Sequence, residues 1–391
     1  MKKQKEKIVY AAVTTVEGSI RSFMMPALDQ FDREKYSIHL MCNMSDEFIK
    51  AYSDRYTCIS VDFERGLHLG STISAIFKIR KLLKKMDCDI VEYGTENAAM
   101  CTAIAAFFAG VPIRIYNHWG ARYVGFGGLK HFVSKMIERI AAFFSTDVRQ
   151  VSPLNMEMCI KDHIYSRKKV TVLGKGGTVG VDFSKFDLSK KEEYRKQICN
   201  QYKIPEDAFV YGFVGRIQKD KGINELIDSF KRIYADDESA YLMLVGNIDS
   251  ENPTDAERMK WAEECPNVIF TGRVSDVYRY MSAFNIMVHP TYREGFGMVL
   301  QEAAALKTPI ITTDIMGPGE FIDDGITGML VPSKDADRLY DAMNQLKLNG
   351  EKLKLFADNN YKYTLENFER SVMVGRIVED RKELLRKKKL I

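Results

Sequence analysis

The feature that most constrains the fold of this chain is a regular alternation of short apolar runs with amphipathic segments, repeated in two successive blocks. The apolar runs, such as 7–13 and 286–288, are continuous, which is typical of parallel strands that are covered on both faces. Segments such as 71–86 have helical spacing and a lysine-rich outer face. The alternation therefore predicts an α/β protein built from doubly wound parallel sheets.

The two blocks predict two domains and fix their approximate limits. We predict a first domain over 1–182, a charged interdomain connection over 183–207 that is poor in core residues, and a second domain over 208–366. The remaining segment, 367–391, predicts a helix that could cross back to the first domain. Both domains are expected to be Rossmann-like and to face each other across a cleft. Ligands of such sheets bind at the carboxyl ends of the strands.

Composition excludes several classes of protein. The net charge of +4 is too small to indicate nucleic acid binding, so no nucleic acid partner is expected. The 7 cysteines are far apart and lack metal-ligand spacing, which is typical of free thiols in a reducing compartment. The basic segment 1–7 does not resemble a signal peptide, and the longest apolar stretch, 98–111, falls short of the ~20 residues of a membrane span. We expect a cytoplasmic protein that could also lie on the cytoplasmic face of the membrane.

The segment 289–303 carries the strongest functional signal. A predicted strand ends there in a loop that holds Glu294, a Gly295-Phe296-Gly297 turn follows, and a helix then begins and carries Glu302. A glycine-rich turn before a helix N-terminus favours a phosphate. Two carboxylates beside it fit the hydroxyl groups of a nucleotide sugar. The alternatives are a surface loop acid with a helix-capping acid, or a general acid and base pair.

A second predicted site follows the first strand of the second domain. Arg216 and Lys221 lie in a loop between the strand that ends at Gly215 and a helix that begins at Ile223. Both cations could contact one anion, and they would stabilise a diphosphate leaving group. The alternative is a solvated basic loop.

The first domain offers two weaker candidates. Gly18 lies in the turn after the first strand, where glycine allows a ligand to approach the backbone or serves a purely steric need. His118, Arg122 and Tyr123 lie in a glycine-rich aromatic loop at the end of another strand, which favours a substrate contact over a structural histidine. The basic residues Arg122, Lys130, His131, Lys135 and Arg139 punctuate this stretch and suit an anionic lipid face or, equally, a solvated helix face.

Other motifs are absent from the sequence. The Gly174–Thr178 segment lacks the earlier glycine and the following Ser or Thr of a phosphate-binding P-loop. We find no His-Glu-x-x-His or Cys-x-x-Cys motif that would hold a metal, and we expect neither a metal nor another cofactor.

Together these motifs resemble those of the retaining GT-B glycosyltransferases of family 4, the glycosyl group 1 type. The glutamate pair of that family is matched by Glu294 and Glu302, and its Gly-Arg-x-x-x-x-Lys-Gly loop by residues 215–222. Its Gly-Val-Asp-x-x-x-Phe pattern is matched by 180–186, and Gly-x-x-Glu by 317–320. The family usually has two glycines in the first loop, where this chain has Glu17-Gly18-Ser19.

The resemblance implies a role for each candidate residue. Arg216 and Lys221 would hold the donor diphosphate, Glu294 the hydroxyls of the transferred sugar, and Glu302 the ribose. The resemblance also implies contacts elsewhere in the two domains: Arg273 and Val274 at the base of the nucleotide, the backbone of Gly295, Phe296 and Gly297 at the phosphate, Gly18 in the first loop, His118 near the sugar, and Arg122 and Tyr123 at the acceptor.

The loop around His118 resembles a bacterial branch that extends polysaccharide or glycan precursors. We therefore expect transfer of a hexosyl unit, with retention, from a UDP-linked or similar nucleotide sugar to a saccharide on polyprenyl diphosphate. Two alternatives remain open: a sugar-nucleotide epimerase of the same fold, and a non-catalytic nucleotide-sugar binding subunit of a transferase complex.

Overall fold

The computed structural model describes residues 6–63 and 69–391 and divides into two compact units. Unit 1 comprises Met1–Val179 and Ser371–Ile391, and unit 2 comprises Gly180–Arg370. Residues 1–5, most of the segment on which the signal-peptide interpretation rests, lie outside the described residues.

Unit 1 contains a parallel sheet of seven strands in the order β3-β2-β1-β4-β5-β6-β7. The strands are β1 (Ile8–Val16), β2 (Tyr36–Asn43), β3 (Thr57–Ser60), β4 (Ile90–Tyr93), β5 (Ile113–His118), β6 (Asp147–Gln150) and β7 (Val170–Val172). All four residues of β4 are buried, as the continuous apolar run predicts for a strand that is covered on both faces.

The helices of unit 1 cover this sheet. They are α1 (Glu17–Phe23), α2 (Met25–Leu28), α3 (Asp46–Tyr52), α4 (Leu69–Lys85), α5 (Glu96–Ala109), α6 (Gly128–Phe144), α7 (Pro153–Lys161) and α16 (Arg370–Lys387). Single-turn 3₁₀ helices occur at Arg122–Gly125 and Arg167–Lys169. The sequence predicts one helix over 20–31, but Pro26 lacks an N–H and the segment divides into α1 and α2.

The last helix, α16, packs on the sheet of unit 1. Its apolar residues Val374, Val378 and Leu385 are buried in the same core cluster as Tyr10 of β1. On the same helix, the buried guanidinium of Arg381 donates to Glu92 of β4 at 2.8 Å and to Asn117 of β5 at 3.0 Å. These polar contacts satisfy a charge that burial would otherwise penalise.

Unit 2 contains a parallel sheet of six strands in the order β10-β9-β8-β11-β12-β13. The strands are β8 (Val210–Val214), β9 (Tyr241–Val245), β10 (Val268–Gly272), β11 (Ile286–His289), β12 (Ile310–Thr313) and β13 (Met329–Val331). The chain order reverses direction between β8 and β11, which is the switch point where such sheets bind ligands.

The helices of unit 2 are α8 (Lys191–Tyr202), α9 (Ile223–Asp236), α10 (Ala256–Glu264), α11 (Val277–Met281), α12 (Met298–Ala305), α13 (Pro318–Phe321), α14 (Ala336–Lys347) and α15 (Gly350–Phe368). Short 3₁₀ helices lie at Leu188–Lys190 and Lys219–Lys221. Among the residues that the structure describes, none of the helices in either unit has the length and apolar character that crossing a membrane would require.

The segment 183–207, predicted as a connection, belongs instead to unit 2 and forms helix α8. Two basic side chains of this helix form hydrogen bonds to the rest of the unit. Lys191 donates to the Leu306 carbonyl at 2.7 Å, and Arg195 donates to the Ala283 carbonyl at 2.6 Å. A segment with few apolar residues is thus fixed by hydrogen bonds to backbone carbonyls, which its composition does not reveal.

Candidate functional site

Unit 2 holds a cavity of about 620 Å³ at the carboxyl ends of β8, β9 and β11. Val214, Val245 and His289, the last residues of these three strands, all line it. The cavity therefore lies at the switch point between β8 and β11, and its volume is within the range of small-molecule sites.

The cavity brings together more than half of the residues predicted from the sequence. Those that line it are Arg216, Lys221, Arg273, Val274, Glu294, Gly297 and Glu302. They come from segments far apart in the chain, so the fold gathers three cations, two carboxylates and a glycine turn around one space.

Lys221 and Glu294 form an ion pair in this cavity, between Nζ and Oε2. Only 16% of the lysine side chain and 28% of the glutamate side chain are exposed. Burial alone would raise the pKa of Glu294, but the charge of Lys221 and a contact with His289 hold that pKa well below its usual range. Glu294 is therefore a carboxylate at neutral pH and can accept hydrogen bonds from hydroxyl groups.

Gly222 allows the loop after β8 to reach Glu294. Its φ is +71°, and a Cβ at this position would lie 2.0 Å from the Pro290 carbonyl oxygen. The loops that carry the two charges are further joined because Asp220 accepts from Arg293 at 2.8 Å and its carbonyl accepts from the Tyr292 N–H at 2.9 Å. The position of Lys221 thus follows from close backbone contact that only glycine permits.

Helix α12 begins beside the cavity, and its first residues line it. Gly297, with a φ of +88°, is its N-cap, and Glu302 lies in its second turn. Burial raises the pKa of Glu302 to about 7, and the charge of Arg370 offsets only part of that rise. The amino end of the helix favours an anion, while Glu302 changes its charge near neutral pH.

The two arginines of the cavity are more exposed than Lys221. Arg216 forms an ion pair with Asp249 at 2.7 Å and has most of its side chain in solvent. The backbone N–H of Arg273 donates to Asn247 at 2.9 Å, and its side chain is also exposed. Both guanidinium groups are long enough to turn toward an anion in the cavity.

Gly295 and Phe296 do not line the cavity, although both were predicted to contact the donor. The Gly295 N–H donates to Oε1 of the adjacent Glu294 at 3.1 Å and so orients that carboxylate. Phe296 is buried, with its ring 5.4 Å from that of Phe368 and 6.2 Å from that of Phe321. Its role is to anchor the loop in the core, because a large aromatic ring is more stable there than in a polar cavity.

His289 is absent from the set predicted from the sequence, yet it lines the cavity. It follows an apolar run and precedes a proline, a pattern that is typical of the buried end of a strand. Its position at the carboxyl end of a strand beside the switch point was the one signal that could have identified it.

The first-domain residues His118 and Tyr123 are buried within unit 1. His118 Nε2 lies 3.0 Å from Glu138 of α6, and Nδ1 lies 3.0 Å from the Gln150 amide. Burial alone would lower the pKa of His118, but Glu138 raises it to about 10. The Tyr123 hydroxyl donates to Asp162 at 2.6 Å. Both side chains thus make internal contacts within unit 1, and the sugar and acceptor contacts predicted for them stay predictions.

Arg122 and Gly18 are exposed, in contrast. Arg122 forms an ion pair with Glu96 at 3.0 Å, and its backbone N–H donates to Glu138 at 2.9 Å. Gly18 lies at the start of α1, and a Cβ there would meet no other atom within 4 Å. Packing within the chain therefore does not require glycine at position 18, and the contact predicted for it stays a prediction.

Within residues 6–63 and 69–391, no group of three or more histidine, cysteine, aspartate or glutamate side chains is arranged to hold a metal ion. The charges in the cavity of unit 2 are instead the cations and carboxylates described above.

Comparison with known proteins agrees with this geometry. The family model for group 1 glycosyl transferases matches residues 194–363, and the model for glycosyl transferase 4-like proteins matches residues 13–151. A capsular polysaccharide biosynthesis glycosyltransferase, CapM of Staphylococcus aureus, is 34% identical over 91% of each chain. The chain belongs to the group 1 glycosyltransferases.

More distant relatives extend the comparison of this group 1 glycosyltransferase. The UDP-Gal:alpha-D-GlcNAc-diphosphoundecaprenol alpha-1,3-galactosyltransferase of Escherichia coli is 22% identical over 87% of each chain. The crystal structure of Anabaena Alr3699/HepE in complex with UDP superposes with a TM-score of 0.76 at 17% identity, covering 96% of this chain and 100% of the other. This structural likeness confirms the predicted GT-B fold.

Proposed function

We propose that this glycosyltransferase moves a hexosyl unit from a UDP-sugar to a hydroxyl of a saccharide on polyprenyl diphosphate, with retention of anomeric configuration, in the synthesis of a cell-surface polysaccharide or glycan. The observation that carries the proposal is a cavity lined by Lys221, Glu294, Glu302 and the first residues of α12. The named activity of the Escherichia coli relative on a diphosphoundecaprenol-linked sugar supports the choice of acceptor.

Each charged group has a role in this proposal. Lys221 and Arg216 hold the donor diphosphate, and the dipole of α12 adds to the positive field. Glu294 accepts hydrogen bonds from the transferred sugar, and Glu302 accepts them from the ribose. Since Lys221 already neutralises Glu294, the pair offers one donor and one acceptor side by side without a large net charge.

The proposed reaction is a displacement on one face of the sugar. The acceptor hydroxyl attacks the anomeric carbon on the face from which the diphosphate leaves, the bond from that carbon to the diphosphate oxygen breaks, and the hydroxyl proton passes to the departing phosphate. Arg216 and Lys221 stabilise the negative charge that grows on the diphosphate. The proposal therefore needs no protein nucleophile and no metal.

A screen of nucleotide sugars for thermal stabilisation tests the proposal. Binding to the folded state alone raises the melting temperature, and a ligand at 100 times its Kd adds about 2.7 kcal/mol. We expect at least one UDP-sugar to stabilise the protein, followed by transfer to a lipid-linked saccharide in the anomeric configuration of the donor. Lack of stabilisation by every UDP-sugar would refute it.

Incubation with the donor alone separates the remaining possibilities. Conversion of the donor to its epimer without an acceptor would identify an epimerase. Tight binding without any turnover would identify a nucleotide-sugar binding subunit.

We also propose that unit 1 contacts the cytoplasmic membrane face near the start of α6. Leu129 and Phe132 project from this helix with 78% and 61% of their surface exposed, and Arg122 and Lys130 are exposed beside them. Apolar side chains flanked by cations suit a membrane with anionic lipids. Of the other basic residues of this stretch, Lys135 pairs with Asp162 at 3.1 Å, so it contributes less.

Co-sedimentation with vesicles of phosphatidylglycerol and phosphatidylethanolamine tests this contact. Leu129→Ser with Phe132→Ser should abolish most of the binding and leave the melting temperature unchanged. Phe143→Ser is the matched control, because Phe143 is 73% exposed on the same helix but lies about 16 Å further along its axis. An equal loss with the control variant would contradict the assignment of the contact to the start of α6.

A further inference from the structure

His289 is one of the residues that line the cavity of unit 2, although only 1% of its surface is exposed. It is the last residue of β11, its backbone carbonyl accepts from the Thr312 hydroxyl at 2.9 Å, and its ring stacks on Phe213 at 5.9 Å with an interplanar angle of 15°. The ring is therefore held in one orientation by the strand and by Phe213.

Neither ring nitrogen of His289 has a hydrogen-bond partner among the described residues. The Glu294 Oε2 atom lies 3.8 Å from Nε2, beyond hydrogen-bond distance. A buried polar group without a partner costs free energy comparable to a lost hydrogen bond, and such groups are rare in folded proteins. In a residue that lines a cavity, a ring nitrogen in this state indicates a ligand or water that supplies the missing partner.

The surroundings of the ring keep it neutral. Burial lowers the pKa of His289, and the neighbouring charge of Lys221 lowers it further, while Glu294 offsets part of this effect. A neutral imidazole has one N–H donor and one acceptor nitrogen. The cavity thus presents a neutral donor 3.8 Å from a carboxylate acceptor.

We propose that His289 and Glu294 together bind one hydroxyl group of the transferred sugar, with Nε2–H donating to the hydroxyl oxygen and the hydroxyl donating to Glu294. This inference rests on the proposed function and adds a specificity-determining residue to it. A hydroxyl fits the pair because it accepts and donates at once. A phosphate oxygen does not fit, because it has no proton to donate and would be repelled by the Glu294 carboxylate.

Titration of His289→Phe with UDP and with the UDP-sugar that stabilises the wild-type protein tests the proposal. Phenylalanine keeps the ring and its stacking on Phe213 but removes both nitrogens. We expect the affinity for the UDP-sugar to fall about tenfold, as the loss of one hydrogen bond to a buried partner implies, while the affinity for UDP changes less than about twofold. His289→Gln, which returns an N–H near the Nε2 position, should recover most of the loss.

Equal losses for UDP and the UDP-sugar, or no loss for either, would overturn the proposal. Deoxy analogues of the transferred sugar give a second measurement on the wild-type protein that does not depend on the folding of a variant. Removal of one particular hydroxyl should cost about tenfold in affinity, and His289→Phe should be insensitive to its removal. If no deoxy analogue binds more weakly than the parent sugar, the proposal is wrong.

These outcomes are separate from failure of the proposed function. A wild-type protein that binds no nucleotide sugar contradicts the proposed function itself. A wild-type protein that binds and transfers the sugar, together with a His289→Phe variant of unchanged affinity, contradicts only the role of His289.

Discussion

Lys221 pairs with Glu294 across two loops that are joined by the contact of Gly222 with the Pro290 carbonyl. The pair places a cation and a carboxylate, both largely buried, at the carboxyl end of the sheet of unit 2. Its geometry makes the lysine available to a ligand phosphate and the glutamate available to a ligand hydroxyl, and it leads to the first prediction.

Lys221→Ala should slow sugar transfer at least about a hundredfold, because it removes a cation from the leaving diphosphate. It should lower the free energy of unfolding by only about 1–3 kcal/mol, between the values for exposed and fully buried ion pairs. Steady-state kinetics and denaturant unfolding measure the two effects. Lys219→Ala is the control, since Lys219 is exposed in the same 3₁₀ turn and does not line the cavity. A Lys221→Ala variant that loses stability but keeps its turnover would show that the lysine is structural.

Glu302 should make stability depend on pH in a direction set by its raised pKa. The folded carboxyl titrates near 7, whereas an unfolded glutamate titrates near about 4.3. Between these values the folded state binds more protons, so the free energy of unfolding of the wild-type protein should fall as pH rises from about 5 to 8. Glu302→Gln lacks this titration and should gain about 1–3 kcal/mol relative to the wild type across that range.

Denaturant unfolding at the two pH values measures the Glu302 effect, with the exposed Glu351→Gln as control. If Glu302 binds the ribose as a carboxylate, the affinity for UDP should also rise with pH through about 7 in the wild type and stay level in Glu302→Gln. If the unfolding free energies of the wild type and of Glu302→Gln changed with pH in the same way, the raised pKa of Glu302 would be contradicted.

Gly222→Ala should disturb both stability and activity. The added Cβ would lie 2.0 Å from the Pro290 carbonyl oxygen, and the φ of +71° is strained for alanine. We expect the free energy of unfolding to fall by about 1–3 kcal/mol. The affinity for the donor should also fall, because Lys221 would move away from Glu294. Gly350→Ala in α15 is the control, since a Cβ there meets nothing within 4 Å. Equal stability of the two variants would contradict the close contact.

Arg381 should contribute more than any other residue of α16 to the stability of unit 1. Arg381→Met leaves Glu92 buried without its cation, which should cost about 3–5 kcal/mol in the free energy of unfolding. Adding Glu92→Gln should recover part of that loss, because the uncompensated charge disappears. Lys387→Ala breaks an exposed ion pair on the same helix and should change stability by less than about 1 kcal/mol. If Arg381→Met and Lys387→Ala lost similar amounts of unfolding free energy, the buried pair would contribute no more to stability than the exposed one.

The second domain was the more predictable part of the chain. Its functional residues lie in loops directly after strands, and the carboxyl ends of parallel strands meet at one edge of a sheet, so Lys221, Glu294 and Glu302 could be placed together from the sequence. The neighbouring Phe296 could not, because a loop aromatic can point into a cavity or into the core, and only packing against Phe321 and Phe368 decides.

The first domain shows the limit of the same reasoning. His118 does follow a strand, but Glu138 lies 20 residues further along the chain on α6, and its carboxylate binds the imidazole inside the unit. Whether Glu138 faces the imidazole or the solvent depends on the rotation of α6 about its axis, and the sequence does not fix this rotation closely enough. Tyr123 likewise donates to a residue inside the unit, Asp162 at the end of α7.

The most direct test of the central claim is transfer of a labelled hexose from its UDP-sugar to a polyprenyl-diphosphate-linked saccharide by the wild-type protein and by Glu294→Gln, with UDP affinity measured on both. The proposed role of Glu294 predicts a labelled lipid-linked product with the wild type, a loss of at least about a hundredfold with the variant, and similar UDP affinity for the two proteins. Undiminished transfer by Glu294→Gln would contradict the assignment of the cavity as the donor site.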